Sequence, residues 1–226
     1  MDEKISDAIG AHFNGYRQRL QNGATRLGFK VAFNPPAVQQ KLGLPHSLVA
    51  GLTTATREMQ REHALEGSAA PALEAEVCVR LGGPIAPSDA PSTVLASVAA
   101  VAPAIEVVDY DRPLDQLTDV IREGVYHRAV AFGPEREPDG EPSLAGMRAR
   151  ITHNRECVAD VDAEEATGHL PDLLLHIARV LEPFDLRLEA GDRLILGSMH
   201  SPALVAPGDR FALELSGVGN LELAFR

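Results

Sequence analysis

Three acidic residues stand where an apolar core is expected. From Leu73 to Leu81 the residues Leu73, Ala75, Val77, Val79 and Leu81 alternate with Glu74, Glu76, Cys78 and Arg80, the period of a half-buried strand. Residues i and i+2 of a strand share one face, with Cα atoms about 6.5 to 7 Å apart, so Glu74 and Glu76 converge. Two such carboxylates repel, and burying them together is costly unless a cation or a shared proton compensates. Glu106 follows within the apolar run Ala104-Ile105-Glu106-Val107-Val108, where a lone carboxylate needs a partner. Three carboxylates suit a hard, oxygen-preferring cation, Mg²⁺ or Mn²⁺, rather than Zn²⁺, and leave open positions for water and a chelating substrate. The same spacing also describes a solvated acidic face, and Glu106 also reads as a salt-bridged structural residue. Spacing alone leaves these readings open.

Lys30 interrupts a second apolar run, Leu27 to Phe33. It is either a strand lysine with its head in water or an ammonium held in a dry pocket, where it pairs with a substrate anion or acts as a base. A third candidate is the segment Leu196-Gly197-Ser198-Met199-His200-Ser201-Pro202, a strand running into a Gly-Ser turn. It is an ordinary turn, or its backbone N–H groups and the Ser198 hydroxyl hold a carboxylate. No G-x-S-x-G segment is present, and His200 beside Ser198 lacks a third triad partner. The remaining histidines show no H-x-x-x-H or H-E-x-x-H spacing, and Gly82-Gly83 and Gly217-Val218-Gly219 are too short for nucleotide loops.

The formal charge of the 226-residue chain is −11, a field that repels phosphate backbones and argues against nucleic-acid binding. A site for an anionic metabolite must then reverse the field locally, through a dication or a few placed cations. No apolar run approaches the ~18 residues of a membrane span, and no signal peptide opens the chain, so the expectation is no membrane partner and a cytoplasmic location. Cys78 and Cys157 have no C-x-x-C spacing and read as free thiols.

The elements that must position these residues follow from periodicity. Ile5, Ile9, Phe13, Tyr16 and Leu20 form one helical stripe. Phe29–Phe33 reads as a strand stopped by Pro35-Pro36, and Ala37–Leu42 as a short helix capped by Gly43. Thr53–Leu65 is polar, a helix or a loop. The spacing predicts strands over 72–81, 104–109 and 126–132, and helices over Thr93–Ala102, ended by Pro103, and over 115–123. A hairpin pairs 148–153 with 156–161 across Asn154-Arg155, a helix spans 168–183, and strands follow at 193–196, 210–215 and 221–225. Strict βαβ alternation is absent, which predicts an α+β fold with a mixed or antiparallel β-roll rather than a doubly wound sheet.

Taken together these segments resemble one family. Gly28-Phe29-Lys30-Val31-Ala32-Phe33 is similar to the Gly-Trp-Lys-Ile-Gly segment of the 2-keto-4-pentenoate hydratases, which belong to the fumarylacetoacetate hydrolase superfamily with the 4-oxalocrotonate decarboxylases. Ala37–Gly43, the E-x-E strand at Leu73–Val77, Pro103-Ala104-Ile105-Glu106, Gly168–Pro171, Leu188–Ser198, Pro207–Asp209 and Gly217–Gly219 continue in register. The resemblance runs from about residue 24 to the end of the chain. It implies a mixed β-roll of the fumarylacetoacetate hydrolase C-terminal-domain type with peripheral helices. In the expected organisation 1–226 is a single catalytic domain, with 1–22 an N-terminal helix and 23–226 the β-roll core.

Carried over residue by residue, Glu74, Glu76 and Glu106 become ligands of Mg²⁺ or Mn²⁺, Lys30 the catalytic or enolate-stabilising lysine, and Ser198, with Lys30, the substrate-binding pair. The implied activity is hydration of a 2-hydroxy-2,4-dienoate (2-oxo acid) in aromatic-compound degradation. Decarboxylation, acylpyruvate C–C hydrolysis and a catalytically silent fold relative are the alternatives. Hydrolysis in the superfamily uses a His–Glu pair upstream of the lysine, and only His12 lies there, with Gly15 three residues on. The resemblance also implies a homo-oligomer built from dimers. The chain departs from the pattern at Ala32, where the family has Gly, at Tyr110, where it has a small polar residue, and at Glu123-Gly124, where hydratases show Asp-Asn. Family members also have a longer N-terminal region.

Overall fold

The Asp2 side chain accepts the Lys4 N–H and opens the first helix, α1 (Glu3–Gln21). The computed structural model describes residues 2–53, 62–63 and 67–226. Beyond α1 these run as β1 (Arg26–Ala32), α2 (Pro36–Leu42), β2 (Leu48–Thr53), β3 (Glu62–His63), β4 (Pro71–Leu81), α3 (Pro91–Ala96), β5 (Val98–Asp109), α4 (Leu117–Arg122) and β6 (His127–Phe132). They continue as β7 (Arg148–His153), β8 (Glu156–Asp162), α5 (Ala163–Thr167), α6 (Leu170–Leu181), β9 (Arg193–Ser198), β10 (Ala203–Leu204), β11 (Arg210–Leu215) and β12 (Gly219–Phe225).

The strands make two sheets. The first has the order β2-β1-β9-β4-β5-β6, with β10 pairing β4 beyond the end of β9. The second has the order β3-β12-β11-β7-β8. The β1–β9 and β3–β12 pairs are parallel and the others antiparallel, so the α+β class with a mixed, curled sheet is the one observed. One apolar cluster joins both sheets to α1 and α6. A smaller one, Leu27, Leu52, Cys78, Ala102, Ala104, Val130 and Ile195, lies on the face of β4 that also carries Glu74 and Glu76.

The helical stripe of α1 docks on β2. Ile5, Ile9, Phe13 and Tyr16 are buried, each contributing about 1.5 to 3 kcal/mol relative to exposure. A Cβ at Gly51 would lie 2.3 Å from the Tyr16 ring, so only glycine permits this approach. His12 fixes the same contact: its Nε2 accepts the Gly51 N–H at 3.0 Å, and its Nδ1 lies 3.3 Å from the Arg122 carbonyl. Burial lowers its pKa to about 4, so the ring is neutral and carries its proton on Nδ1. An edge N–H of β2 is thereby covered.

The structure corrects part of the element reading. The expected helix over Thr93–Ala102 stops at Ala96, and β5 runs from Val98 straight through Pro103. Pairing of Val98–Ala102 with Cys78–Leu81 overrides the helical preference of an alanine-rich run. Proline is tolerated because its carbonyl accepts the Gly133 N–H at 2.8 Å, just past the end of β6, so its N–H-less nitrogen faces the point where that neighbour stops. Strand β2 and helix α5 are additions to the sequence reading. Of the polar segment Thr53–Leu65, Thr53 closes β2 and Glu62–His63 form β3; residues 54–61 and 64–66 lie outside the described residues. The hairpin turn is as expected, with Asn154 and Arg155 at φ 51° and 72° and His153 opposite Glu156. Among the described residues no helix is long and apolar enough to cross a membrane.

Candidate metal centre

Strand register brings the three carboxylates together. Glu74 on β4 stands directly opposite Glu106 on β5, and Glu76, two residues along, stands opposite Ser198 on β9. One oxygen of each lies within 4.8 Å of the others. Glu76 and Glu106 are fully buried and Glu74 is partly buried.

Each carboxylate is tethered through one oxygen. Glu74 Oε1 accepts the Tyr110 hydroxyl at 3.0 Å, Glu76 Oε2 accepts the Gly197 N–H at 2.7 Å, and Glu106 Oε1 is met by Lys30 Nζ at 2.5 Å and His127 Nδ1 at 2.6 Å. The opposite oxygens, Glu76 Oε1 and Glu106 Oε2, are buried without a partner among the described residues. Such orphaned oxygens are expensive unless a cation occupies the space they share. An all-oxygen donor set of this kind fits a hard dication.

The electrostatics agree. Burial and the charge of Glu106 push the Glu74 carboxyl up to about 7, and burial with Glu106 and Glu74 pushes Glu76 well above the ordinary carboxylate range. Burial opposes the charged form of Glu106 as well, but Lys30 and His127 outweigh it and hold that carboxyl at about 2. In the metal-free protein one charged carboxylate is thus matched by one lysine, and the other two are held back from ionising.

Lys30 settles the choice between its two readings. It is 1% exposed, with Nζ on Glu106 and on the Val125 carbonyl at 3.0 Å, so it is the ammonium in a dry pocket. Val125 belongs to a turn in which Gly124, Val125 and Tyr126 have φ values of 89°, 56° and 64°. For a β-branched valine that conformation costs on the order of 1 to 3 kcal/mol, strain retained where it aims the carbonyl at Lys30.

The Gly197–Ser198 segment differs from its expectation. A backbone N–H there does hold a carboxylate, but it is the protein's own Glu76. Between the pairs Glu76↔Ser198 and Cys78↔Ile195, β4 advances two residues and β9 three, so β9 carries a bulge at Leu196-Gly197. Gly197 has φ 102°, and a Cβ on it would lie within 2.4 Å of the Asn34 amide nitrogen. The Ser198 hydroxyl donates to the His200 carbonyl at 2.8 Å, closing its own turn, so in this arrangement it offers a ligand only acceptor lone pairs. His127 and the Tyr110–Glu74 bond are among the site contacts that sequence reasoning missed, as are the Val125 carbonyl on Lys30 and the Gly197 N–H on Glu76. The signals of the first two were faint: Tyr110 as a large residue in a small residue's place, and a lone histidine at the start of a strand.

Fold and site together define an α+β protein with an all-carboxylate cation cradle beside a buried lysine. The chain belongs to the fumarylacetoacetate (FAA) hydrolase C-terminal family, whose sequence model matches residues 9–226. Among curated proteins it is 26% identical to 4-oxalocrotonate decarboxylase of a Pseudomonas species over 212 residues, 91% of this chain and 81% of that enzyme. It is 24% identical to 2-hydroxyhexa-2,4-dienoate hydratase of Comamonas testosteroni over 98% of this chain and 86% of that enzyme. In fold it is similar to 4-oxalocrotonate decarboxylase from Pseudomonas putida complexed with magnesium and adipate, with a TM-score of 0.88 at 19% identity over 98% of this chain and 86% of the other. Fumarylpyruvate hydrolase from Pseudomonas aeruginosa, in complex with Mn²⁺ and pyruvate, has a TM-score of 0.72 at 15% identity over 89% of each chain.

Proposed function

We propose that the chain is a divalent-metal-dependent lyase that adds water to a 2-hydroxy-2,4-dienoate, a masked 2-oxo acid, in the breakdown of aromatic compounds. The observation that carries this reading is the pair of buried oxygens on Glu76 and Glu106 that have no partner among the described residues, close to a third carboxylate and beside Lys30. Glu74, Glu76 and Glu106 would hold Mg²⁺ or Mn²⁺, which supplies Lewis acidity toward the substrate's carboxylate and 2-oxygen. The hydratase and decarboxylase relatives support the same substrate chemistry.

Lys30 holds negative charge that develops on the substrate and moves a proton. Two of its three N–H donors are engaged, by Glu106 and the Val125 carbonyl, which leaves one for substrate. Protonation of the dienol at its far carbon gives an α,β-unsaturated 2-oxo acid. Water then adds its hydroxyl at the β position of the enone, and its proton goes to the carbon next to the ketone. Ser198 assists at the substrate carboxylate once its hydroxyl leaves the His200 carbonyl. A C–C hydrolase is disfavoured, because His12, the histidine upstream of Lys30, engages Gly51 and Arg122 through its ring nitrogens. Decarboxylation is the second reading, supported by the sequence similarity to 4-oxalocrotonate decarboxylase along 91% of the chain. The proposal includes residues 1–226 as one catalytic unit, a cytoplasmic location and a homo-oligomer built from dimers.

The test is ultraviolet absorbance of a panel of 2-hydroxydienoates and acylpyruvates with and without Mn²⁺. The expected result is metal-dependent loss of the dienoate band with a 4-hydroxy-2-oxo acid as product. Release of CO₂ instead selects the second reading. No change with any member of the panel overturns both in favour of a silent fold relative.

A further inference from the structure

The turn between α4 and β6, with the first residue of β6, reaches Lys30 and Glu106 directly and Glu74 through Tyr110, although the proposed chemistry needs none of its side chains. Val125 offers its carbonyl to Lys30 at 3.0 Å. The Tyr126 ring meets Tyr110 edge-on with centroids 4.8 Å apart, and Tyr110 in turn holds Glu74. His127 puts Nδ1 2.6 Å from Glu106 Oε1.

The last of these contacts is the informative one, because Oε1 is already occupied by Lys30 at 2.5 Å. The two clamps differ in kind. A lysine that turns to a substrate or gives up a proton loosens its hold on Glu106. A buried imidazole on the first residue of β6, 6% exposed, has no such second task. Nothing else holds Glu106: its Oε2 has no partner among the described residues, and neither has Nε2 of His127. A ring with a bare Nε2 beside a carboxylate carries its proton on Nδ1 and donates it.

We propose that His127 is a positioning residue whose Nδ1–H holds Glu106 Oε1, so that Oε2 stays turned toward Glu74 and Glu76 while Lys30 is free to change partners. This rests on the metal reading above. It assigns a role to a residue that touches neither metal nor substrate, and it makes Lys30 dispensable for metal binding but not for chemistry.

The test is calorimetric titration of the full-length chain with Mn²⁺, with folding checked by circular dichroism. His127→Leu is expected to weaken binding about 10- to 100-fold, the usual loss when the partner of a metal ligand is removed. His127→Asn places an amide N–H close to the position of Nδ1 and should restore binding to within about threefold of the wild type. In a Lys30→Met background His127→Leu should cost more, because no donor then remains at Oε1. Folded His127→Leu that binds Mn²⁺ like the wild type, or costs that are equal in the two backgrounds, would overturn the inference. Should His127→Leu not fold, ¹⁵N NMR of the wild-type imidazole decides: a neutral Nδ1-protonated ring supports the role and an Nε2-protonated ring ends it. Wild-type protein that binds no Mn²⁺ sinks the metal reading as well, whereas binding indifferent to His127 sinks this inference alone.

Discussion

Two strands of this molecule carry acidic residues at i and i+2, and they come to opposite ends. On β4, Glu74 and Glu76 lie in the middle of a sheet, between β5 and β9, close to Glu106, and Glu76 Oε1 and Glu106 Oε2 are buried without a partner among the described residues. On β8, Asp160 and Asp162 lie at the edge of the other sheet, paired on one side only. Asp160 is about half exposed and forms an ion pair with Arg148 at 2.5 Å. Asp162 accepts the N–H groups of Glu164 and Glu165 as the N-cap of α5, and that of Gly146. The local spacing is identical. What differs is how many neighbours a strand has and whether solvent or a donor reaches each oxygen. Acidic alternation becomes a cation cradle only where the sheet buries it and leaves buried oxygens, here Glu76 Oε1 and Glu106 Oε2, without a donor among the described residues.

The sharpest way to break that comparison is to neutralise one member of each pair. Glu76→Gln should weaken Mn²⁺ binding at least about 100-fold, and Asp160→Asn should leave it unchanged, both by calorimetry. Equal effects would mean that the two pairs are not different in kind. Next in size, Glu106→Leu strands the Lys30 ammonium without a counter-charge in a dry interior. It should cost about 3 to 5 kcal/mol in urea unfolding, where Asp160→Ala costs under about 1 kcal/mol.

Protons supply the third test. Glu74 has its folded pKa raised to about 7 from 4.5. Its contribution to the stability of the metal-free protein is therefore full below about pH 4.5 and is lost as pH rises through about 7. Glu106 runs the other way: its folded pKa of about 2 makes its contribution present above about 4.5 and lost only as pH falls through 2. Below pH 7 the metal must displace the Glu74 proton, so Mn²⁺ affinity should fall about tenfold per pH unit for each proton released. Titrations in buffers of different ionisation enthalpy count those protons, and a count of zero at pH 6 contradicts the assignment. A modest effect is expected from Asp162→Ala, about 1 kcal/mol from the lost helix cap, with Mn²⁺ affinity untouched.

Where the sequence was legible, one strand or one turn held the whole signal. The E-x-E alternation, the apolar run around Glu106, the buried-strand position of Lys30 and the Asn154-Arg155 hairpin are all local patterns. The contacts that went unread are made by pairing between elements. His127 reaches Glu106 from 21 residues away because β6 lies beside β5, and no spacing rule announces that neighbour. Gly197 reaches Glu76 across 121 residues, through a bulge that exists only when β9 is laid against β4. Only the first part of β5, Val98–Ala102, departs from the helix expected there, because its pairing with β4 overrides the helical preference of alanine. Strand β2 shows little alternation to read, since most of its residues are buried.

The bulge in β9 also sets how this protein can change length. A surface stretch such as 137–142, beyond the backbone pair of Arg136 with Val101, touches none of the three site carboxylates and can gain or lose residues. A single codon lost at 196–198 would straighten β9 against β4, rotate Ser198 to the far face and withdraw the amide that steadies Glu76. Insertions and deletions drifting through descendants of this gene should therefore spare that tripeptide, while point changes around it remain open.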